Sequence, residues 1–445
     1  MKDLFAAHIR TLQSRYEDTL TLLGDQHIHI DAVLLHSGTE QIYWADDAGV
    51  PFRAHAHFNH WVPVDHPEQM VLIQPGEQPT YFQVIPEDFW YDQSIDTVDW
   101  WADAFDIIPL KKAEAVMDHL PPARRIAFIG ANTEFAGRLG LPSYLHNEKN
   151  LVNRLDYHRS IKTPYEVNRI HTANVRGLVA HAAAEQAFLA DGSERDIHRA
   201  FLAANDVVEQ ELPYHSIVAL DEKSAILHYQ NRRTSSGIDH TVCLVDAGYR
   251  QNGYASDITR TFAKPNVHPV FLEVMKRVDA LQLELAGQFT VGTPYEEIHK
   301  TALSRTMDHL LELEILRGDR VALEEAKVER LFLPHGIGHM LGIQVHDVAG
   351  MFKDETGVLV PPQEDFKHLR MTRTLEPDMV YTIEPGIYFM PLLLNPERET
   401  EKGAFINWSL VDELLPLGGA RFEDNIQITA DGPVNLTRPD AAPVV

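Results

Sequence analysis

Cysteine is almost missing from this chain: Cys243 is the single one in 445 residues. No intrachain disulfide can form, and a zinc site built on several thiolates is excluded. Long apolar runs are missing too, so no stretch of about 18 apolar residues offers a membrane span. The N-terminal MKDLFAAHIRTLQSRYEDTL lacks the apolar centre of a secretory signal. Basic residues are scarce, 39 against 65 acidic, for a formal charge of -26. That deficit argues against nucleic acid or an anionic membrane as the main partner. Gly130 stands alone after a strand-like run, without the spacing of a phosphate loop. Nor is there an HExxH zinc motif, because Gly336, Ile337 and Gly338 separate His335 from His339. What remains is a cytoplasmic enzyme of ordinary globular composition, with 44% hydrophobic residues and length for two or three domains.

The most informative stretch is Thr241 to Phe262, which reads as two strands around the turn chemistry of Gln251-Asn252-Gly253. Asp246 and Asp257 lie one on each strand. A loop centred on Gln251-Asn252 puts them directly opposite, and one centred on Asn252-Gly253 makes them diagonal neighbours. Either way the carboxylates share a face, roughly 5 to 7 Å apart. Two such charges need neutralising, and a cation is the natural candidate.

Residues 1–158 form a first α/β unit by pattern. A helix opens it, and strands follow at Ala32–Leu35, Met70–Ile73, Tyr81–Ile85 and Arg125–Gly130, with a helix expected from Trp100 to Leu120. The segment His55 to Trp61 holds three histidines between Pro51 and Pro63. It is expected to be an exposed, partner-contacting loop.

Residues 159–445 form the second unit. Thr163-Pro164-Tyr165-Glu166 carries a capping-box helix start, and the same four residues recur at 293–296. The recurrence hints at two related halves. The second half should then bring its own acids. Glu384 ends the strand-like Met379–Ile383, and Glu423 lies in Arg421–Thr429, read as one strand in which Arg421 shares its face and is an alternative partner for it. His335, His339 and His346 fall within twelve residues beside glycines that permit close approach. Four carboxylates and an imidazole are hard, oxygen-rich ligands suited to two divalent ions such as Mn²⁺. Two such ions can share a hydroxide and clamp a carbonyl or phosphoryl oxygen, which makes a two-metal hydrolase of unassigned substrate.

Several segments resemble one family. They are Asp-Ala-Gly at 246–248, Ser-Asp-Ile-Thr-Arg-Thr at 256–261, Pro-His-Gly-Ile-Gly-His at 334–339, Val-His-Asp at 345–347, Ile-Glu-Pro-Gly-Ile-Tyr at 383–388 and Arg-Phe-Glu-Asp-Asn at 421–425. Together they look like the signature of the prolidase and Xaa-Pro aminopeptidase family, including its organophosphorus acid anhydrolase relatives. The resemblance implies an α+β chain: a small α/β N-terminal domain, then a pita-bread (creatinase/aminopeptidase-like) catalytic domain with pseudo-twofold halves. It implies metal ligation by Asp246, Asp257, His339, Glu384 and Glu423, with Asp257 and Glu423 bridging two cations, most naturally Mn²⁺. It gives catalytic roles to His346, Glu384 and His335. Substrate contacts fall to His228, Arg370, Arg421 and Tyr214, with Arg370 gripping the carboxylate of a C-terminal proline. The implied reaction is hydrolysis of Xaa-Pro dipeptides by a metal-bridging hydroxide, with side activity on organophosphorus triesters. The alternative is an Xaa-Pro aminopeptidase acting on longer peptides. A homodimer is implied as well, whose N-terminal domain lets a neighbour's loop, here His55 to Trp61, reach the active site.

Overall fold

The structure, a computed structural model, describes residues 1–122 and 125–438; the last seven residues of the expected 159–445 domain lie outside the described residues. The chain divides into two compact units. The first comprises 1–169 with 252–254 and 352–359, and the second holds the remainder. Among the described residues no helix is long and apolar enough to cross a membrane.

The first unit starts with helix α1 (Lys2–Asp25) and strand β1 (Ala32–His36). Helix α2 (Ala56–Trp61) precedes β2 (Met70–Ile73) and β3 (Thr80–Val84). Then come α3 (Asp99–Ala102), β4 (Asp106–Leu110), β5 (Ile126–Ile129), α4 (Thr133–Arg138) and α5 (Lys149–Arg159). The strands form one mixed sheet in the order β4-β3-β2-β1-β5. β1 is buried at every position, as expected for a continuous apolar strand with both faces covered. Ala32, Leu34, Leu72 and Phe82 share a core with Phe135 of α4.

Two expectations fail here. Trp100 to Leu120 is not one helix, because Asp106–Leu110 pairs in parallel with β3. Pro109 would break a helix interior, whereas the β-branched Ile107 and Ile108 suit an edge strand that tolerates the proline. His55 to Trp61 is not an exposed loop. Its residues from Ala56 onward form α2, and His57, Phe58, Asn59, His60 and Trp61 are all buried. Phe58 and Trp61 are fully inaccessible and sit three apart on one helical face, so hydrophobic burial overrides the polar appearance of the histidines. Exposed aromatics of this unit lie elsewhere, among them Trp44, Phe89 and Trp90.

Helix α6 (Pro164–Leu189) begins at the expected box: Thr163 N–H donates to Glu166 Oε2 at 2.8 Å, and Glu166 N–H to Thr163 Oγ1 at 3.4 Å. The chain continues through α7 (Glu194–Ala204), β6 (Ile217–Leu220), β7 (Val242–Asp246), β8 (Arg250–Gln251), β9 (Tyr254–Ala255) and β10 (Thr259–Ala263). Helices α8 (Pro269–Gln288) and α9 (Tyr295–Glu312) lead on to β11 (Val380–Ile383), β12 (Gly386–Tyr388), β13 (Gly419–Arg421), β14 (Asp424–Thr429) and β15 (Gly432–Asn435). Each half contributes a three-stranded antiparallel sheet, β10-β7-β6 and β11-β14-β15. Phe271, Val274, Met275 and Val278 recur at helical spacing on α8. They pack with Met307 and Leu310 of α9 against Ile387 and Phe422.

The recurrence at 293–296 does not repeat the box. α9 starts at Tyr295 with no side-chain cap. Tyr295 N–H bonds to Arg373 O and Leu375 N–H to Thr293 O, so the segment is drawn into extended pairing that displaces cap geometry. Residues 421–429 are also not one strand. Phe422 and Glu423 separate β13 from β14, where Glu423 N–H turns aside to Thr259 O at 3.1 Å.

Candidate active site

The hairpin register places the first two acids. Asp246 pairs with Thr259, and the loop is Asn252-Gly253, with φ of 50° and 92°. Two left-handed residues make the turn that matches strand twist, and Asn-Gly is the sequence that adopts it most easily. Asp257 is therefore diagonal to Asp246. Its backbone is fixed from the other half: Asp257 N–H donates to Asn425 Oδ1 at 3.0 Å, and Asn425 Nδ2 donates to Asp257 O at 2.6 Å.

His339 arrives on a loop laid against β11. Thr382 N–H donates to His339 O, and His339 N–H donates to Thr382 Oγ1 at 3.2 Å. Gly338 makes this approach possible, since a Cβ there would collide with Thr382 O and the Tyr295 hydroxyl. His339 Nδ1 donates to Met340 O at 2.9 Å, which leaves Nε2 facing Asp257 Oδ2 at 3.3 Å and Glu384 Oε1 at 3.6 Å. Asp257, His339 and Glu423 offer ligand atoms all within 4.8 Å of one another, and all three are buried. Glu384 follows β11 directly.

Burial dominates the electrostatics. It raises Asp246, and Asp257 adds to that while Arg421 opposes it. Glu384 is pushed up to about 7 by burial, against the pull of His339 and Arg421. Glu423 is also raised, through burial and the charges of Asp257, Glu384 and Asp246. Asp257 goes the other way. Burial is outweighed by the hydrogen bond and charge of His339 and by the Tyr214 hydroxyl, which donates to Asp257 Oδ1 at 2.6 Å. His339 in turn is raised, its burial offset by Asp257.

These residues fit a cation. Asp246 Oδ1 is buried with no hydrogen-bond partner among the described residues. His339 Nε2 faces two carboxylates, an arrangement that needs a positive charge there, whether a ring proton or a metal ion. A ligating histidine that donates its other N–H to a backbone carbonyl is the usual supporting geometry. The oxygen-rich donor set suits hard divalent ions.

The remaining expected residues separate into two groups. Arg421 is buried and does not pair with Glu423. Its Nη2 meets Asp246 Oδ2 at 2.6 Å, and its Nη1 donates to Tyr388 Oη at 2.9 Å. Arg421 thus bonds Asp246 of β7 and the Thr259 hydroxyl rather than a Glu423 oxygen. Tyr388 passes its own proton to His335 Nε2 at 2.9 Å, and His335 is lowered to about 3 by burial and Arg421. His228, His346 and Arg370 are exposed. His346 meets the His339 ring edge-on at 4.3 Å and is lowered to about 4 by desolvation, His339 and Arg370. Sequence reasoning missed Thr259, Thr382, Asn425 and Tyr388. Thr259 stands two residues from Asp257, and Thr382 two from Glu384, at the strand period that puts their side chains on the acids' face.

A second buried group, His8, His60 and Glu166, lies in the first unit. Most of its atoms are already hydrogen-bonded, while His60 Nε2 lies 3.2 Å from Glu166 Oε1 without a hydrogen bond. His8 Nδ1 bonds Thr163 Oγ1 at 2.8 Å, His8 Nε2 bonds His60 O at 2.8 Å, and Tyr254 Oη donates to Glu166 Oε1 at 3.2 Å. This is a structural network tying α1, α2 and the start of α6 together.

Residues 168–430 match the model of metallopeptidase family M24, and residues 3–157 match that of the Xaa-Pro dipeptidase N-terminal domain. The chain is 38% identical over 442 residues to an Xaa-Pro dipeptidase of Pseudoalteromonas atlantica, covering 98% of each. It is 38% identical over 441 residues to one of Enterobacter sp. (strain 638), again covering 98% of each. Among solved structures it is similar to aminopeptidase P from E. coli with the inhibitor Pro-Leu, with a TM-score of 0.72 at 22% identity over 96% and 94% of the two chains. Proline aminopeptidase P II from Yersinia pestis gives 0.70 at 22% identity, over 96% of both. These two likenesses speak to the fold, and it is the expected pita-bread fold.

Proposed function

Starting from a chain that belongs to the Xaa-Pro dipeptidases of metallopeptidase family M24, we propose that it hydrolyses dipeptides whose second residue is proline. The observation that carries this reading is the buried cluster of Asp257, His339 and Glu423, with Asp246 and Glu384 beside it, in a chain alike at full length to enzymes of that name. Asp246, Asp257, His339, Glu384 and Glu423 would hold two divalent cations. Bound there, the cations would polarise the scissile carbonyl and acidify a water; the oxygen donors favour Mn²⁺.

The chain's own groups do the rest. Glu384 takes the proton released by the water and returns it to the proline nitrogen. A proline amide has no N–H, so a site that needs no donor there accepts it where others fail. Arg370, exposed and close enough to lower His346, pairs with the substrate carboxylate and so favours dipeptides. His346, with His228, stabilises charge on the carbonyl oxygen as the tetrahedral centre forms. The first unit serves dimerisation, and the same chemistry at a phosphoryl centre gives slow side hydrolysis of organophosphorus triesters.

The fold likeness to aminopeptidase P keeps a second reading in play, cleavage of Xaa-Pro-Yaa. One experiment decides. Metal-stripped protein and its Asp257→Ala variant are assayed on Leu-Pro and Leu-Pro-Leu, with and without Mn²⁺. Dipeptide turnover that returns with metal only in the wild type supports the proposal. Equal turnover of the tripeptide supports the aminopeptidase. Full activity without metal overturns both.

A further inference from the structure

Each half of the second unit contains a fully buried threonine set between a fixed donor and a glutamate of the site. In the first half, Arg421 Nε donates to Thr259 Oγ1 at 3.2 Å, and Thr259 Oγ1 lies 2.7 Å from Glu423 Oε2. A guanidinium can only donate. The threonine oxygen must therefore accept from Arg421, and its single proton is left for Glu423. In the second half, the backbone N–H of His339 donates to Thr382 Oγ1 at 3.2 Å, and Thr382 Oγ1 lies 3.4 Å from Glu384 Oε1. A backbone N–H is also donor-only, so the direction is forced again.

We infer that Thr259 and Thr382 are positioning residues that hold Glu423 and Glu384 in their metal-binding orientation. The hydroxyl proton pins one oxygen of each carboxylate and stops rotation about its Cγ–Cδ bond, so the second oxygen is presented one way. β-Branching adds to this, because it leaves Thr259 and Thr382 few χ1 choices on their strands. The two chains also link residues from different places. Arg421 bonds both Asp246 and Thr259, so one guanidinium registers Asp246 against Glu423. The His339 N–H, through Thr382, registers the imidazole against Glu384.

The inference rests on Glu423 and Glu384 being metal ligands, and the test separates the two ideas. Mn²⁺ binding to metal-stripped protein is titrated calorimetrically for wild type, Thr259→Val, Thr259→Ser, Thr382→Val and Glu423→Ala. Thermal melts of the metal-free forms check folding. Thr259→Val is expected to weaken binding about 10- to 100-fold, the usual cost of losing a ligand's supporting hydrogen bond. Thr259→Ser keeps the hydroxyl and should stay within about threefold of wild type. Thr382→Val, with the longer contact, should lose about threefold or more. Wild-type affinity in Thr259→Val overturns the inference, as does Thr259→Ser weakened as much as Thr259→Val, which would mean a packing role. If Thr259→Val gives no cooperative melt, Thr382→Val decides: unchanged affinity there overturns the inference. Glu423→Ala that binds like wild type overturns the ligand assignment itself. Loss in Glu423→Ala beside full binding in Thr259→Val removes only the threonines.

Discussion

The Tyr214 hydroxyl reaches Asp257 Oδ1 at 2.6 Å, inside the site. Tyr214 is itself held neutral by burial and by the charges of Asp246, Asp257 and Glu423. It is thus a fixed donor beside an acid whose other oxygen faces His339. Tyr214→Phe removes the donor and keeps the ring. The expected result is a fall in kcat for Leu-Pro of about 10-fold or more with the fold intact, read by steady-state kinetics and a thermal melt. Unchanged kcat would show that Asp257 needs no second donor.

Raised carboxylates make the metal-free site a proton store. Glu384 sits at about 7 and Glu423 is raised as well. Metal must displace those protons, so Mn²⁺ affinity should fall as pH drops from 8 to 6, and binding heat should vary with the buffer's ionisation enthalpy. The stability sign follows from the same shift. Between its unfolded value near 4.5 and about 7, Glu384 is protonated in the folded chain and ionised in the unfolded one. Its contribution is therefore present at low pH and lost as pH rises through 7. Metal-free protein should thus gain more from added Mn²⁺ at pH 8 than at pH 6, measured as the rise in melting temperature.

Arg370→Ala tests the carboxylate grip. KM for Leu-Pro should rise about 10- to 100-fold, while a substrate with its proline carboxylate amidated should be little affected. Equal losses on both substrates would assign Arg370 another task.

Gly338→Ala probes the loop that carries His339. The added Cβ has no room between Thr382 O and the Tyr295 hydroxyl, both of them fixed. A loss of about 1–3 kcal/mol or more is expected in chemical denaturation, with weakened Mn²⁺ binding. Wild-type stability and binding would mean that the loop moves freely.

Much of this site was legible because its residues violate their surroundings. Acids beside Val- and Ile-rich strand sequence are costly unless something positive meets them, which marks Asp246, Asp257 and Glu384; Glu423 on its own reads equally as a partner for Arg421. The hairpin turn was legible as well, down to two registers, of which Asn252-Gly253 is the one adopted. Less legible were features decided by distant partners. The histidines of α2 look solvated in sequence, yet Phe58 and Trp61 bury the helix. Asp106–Leu110 becomes a strand because β3 offers an edge. Arg421 has Glu423 as its neighbour in sequence, but Asp246 as its partner in space. Thr259 and Thr382 resemble any strand threonine until their donors are seen.

The paired amide bonds between Asn425 and the Asp257 backbone bear on the order of synthesis. Asp257 leaves the ribosome long before Asn425, and until then its peptide lacks the two partners that set it. Glu423 arrives with Asn425. A nascent chain therefore carries Asp246 and Asp257 through the synthesis of the whole intervening segment before Glu423 joins them. The full set of four acids and an imidazole exists only once the last strands close over the first.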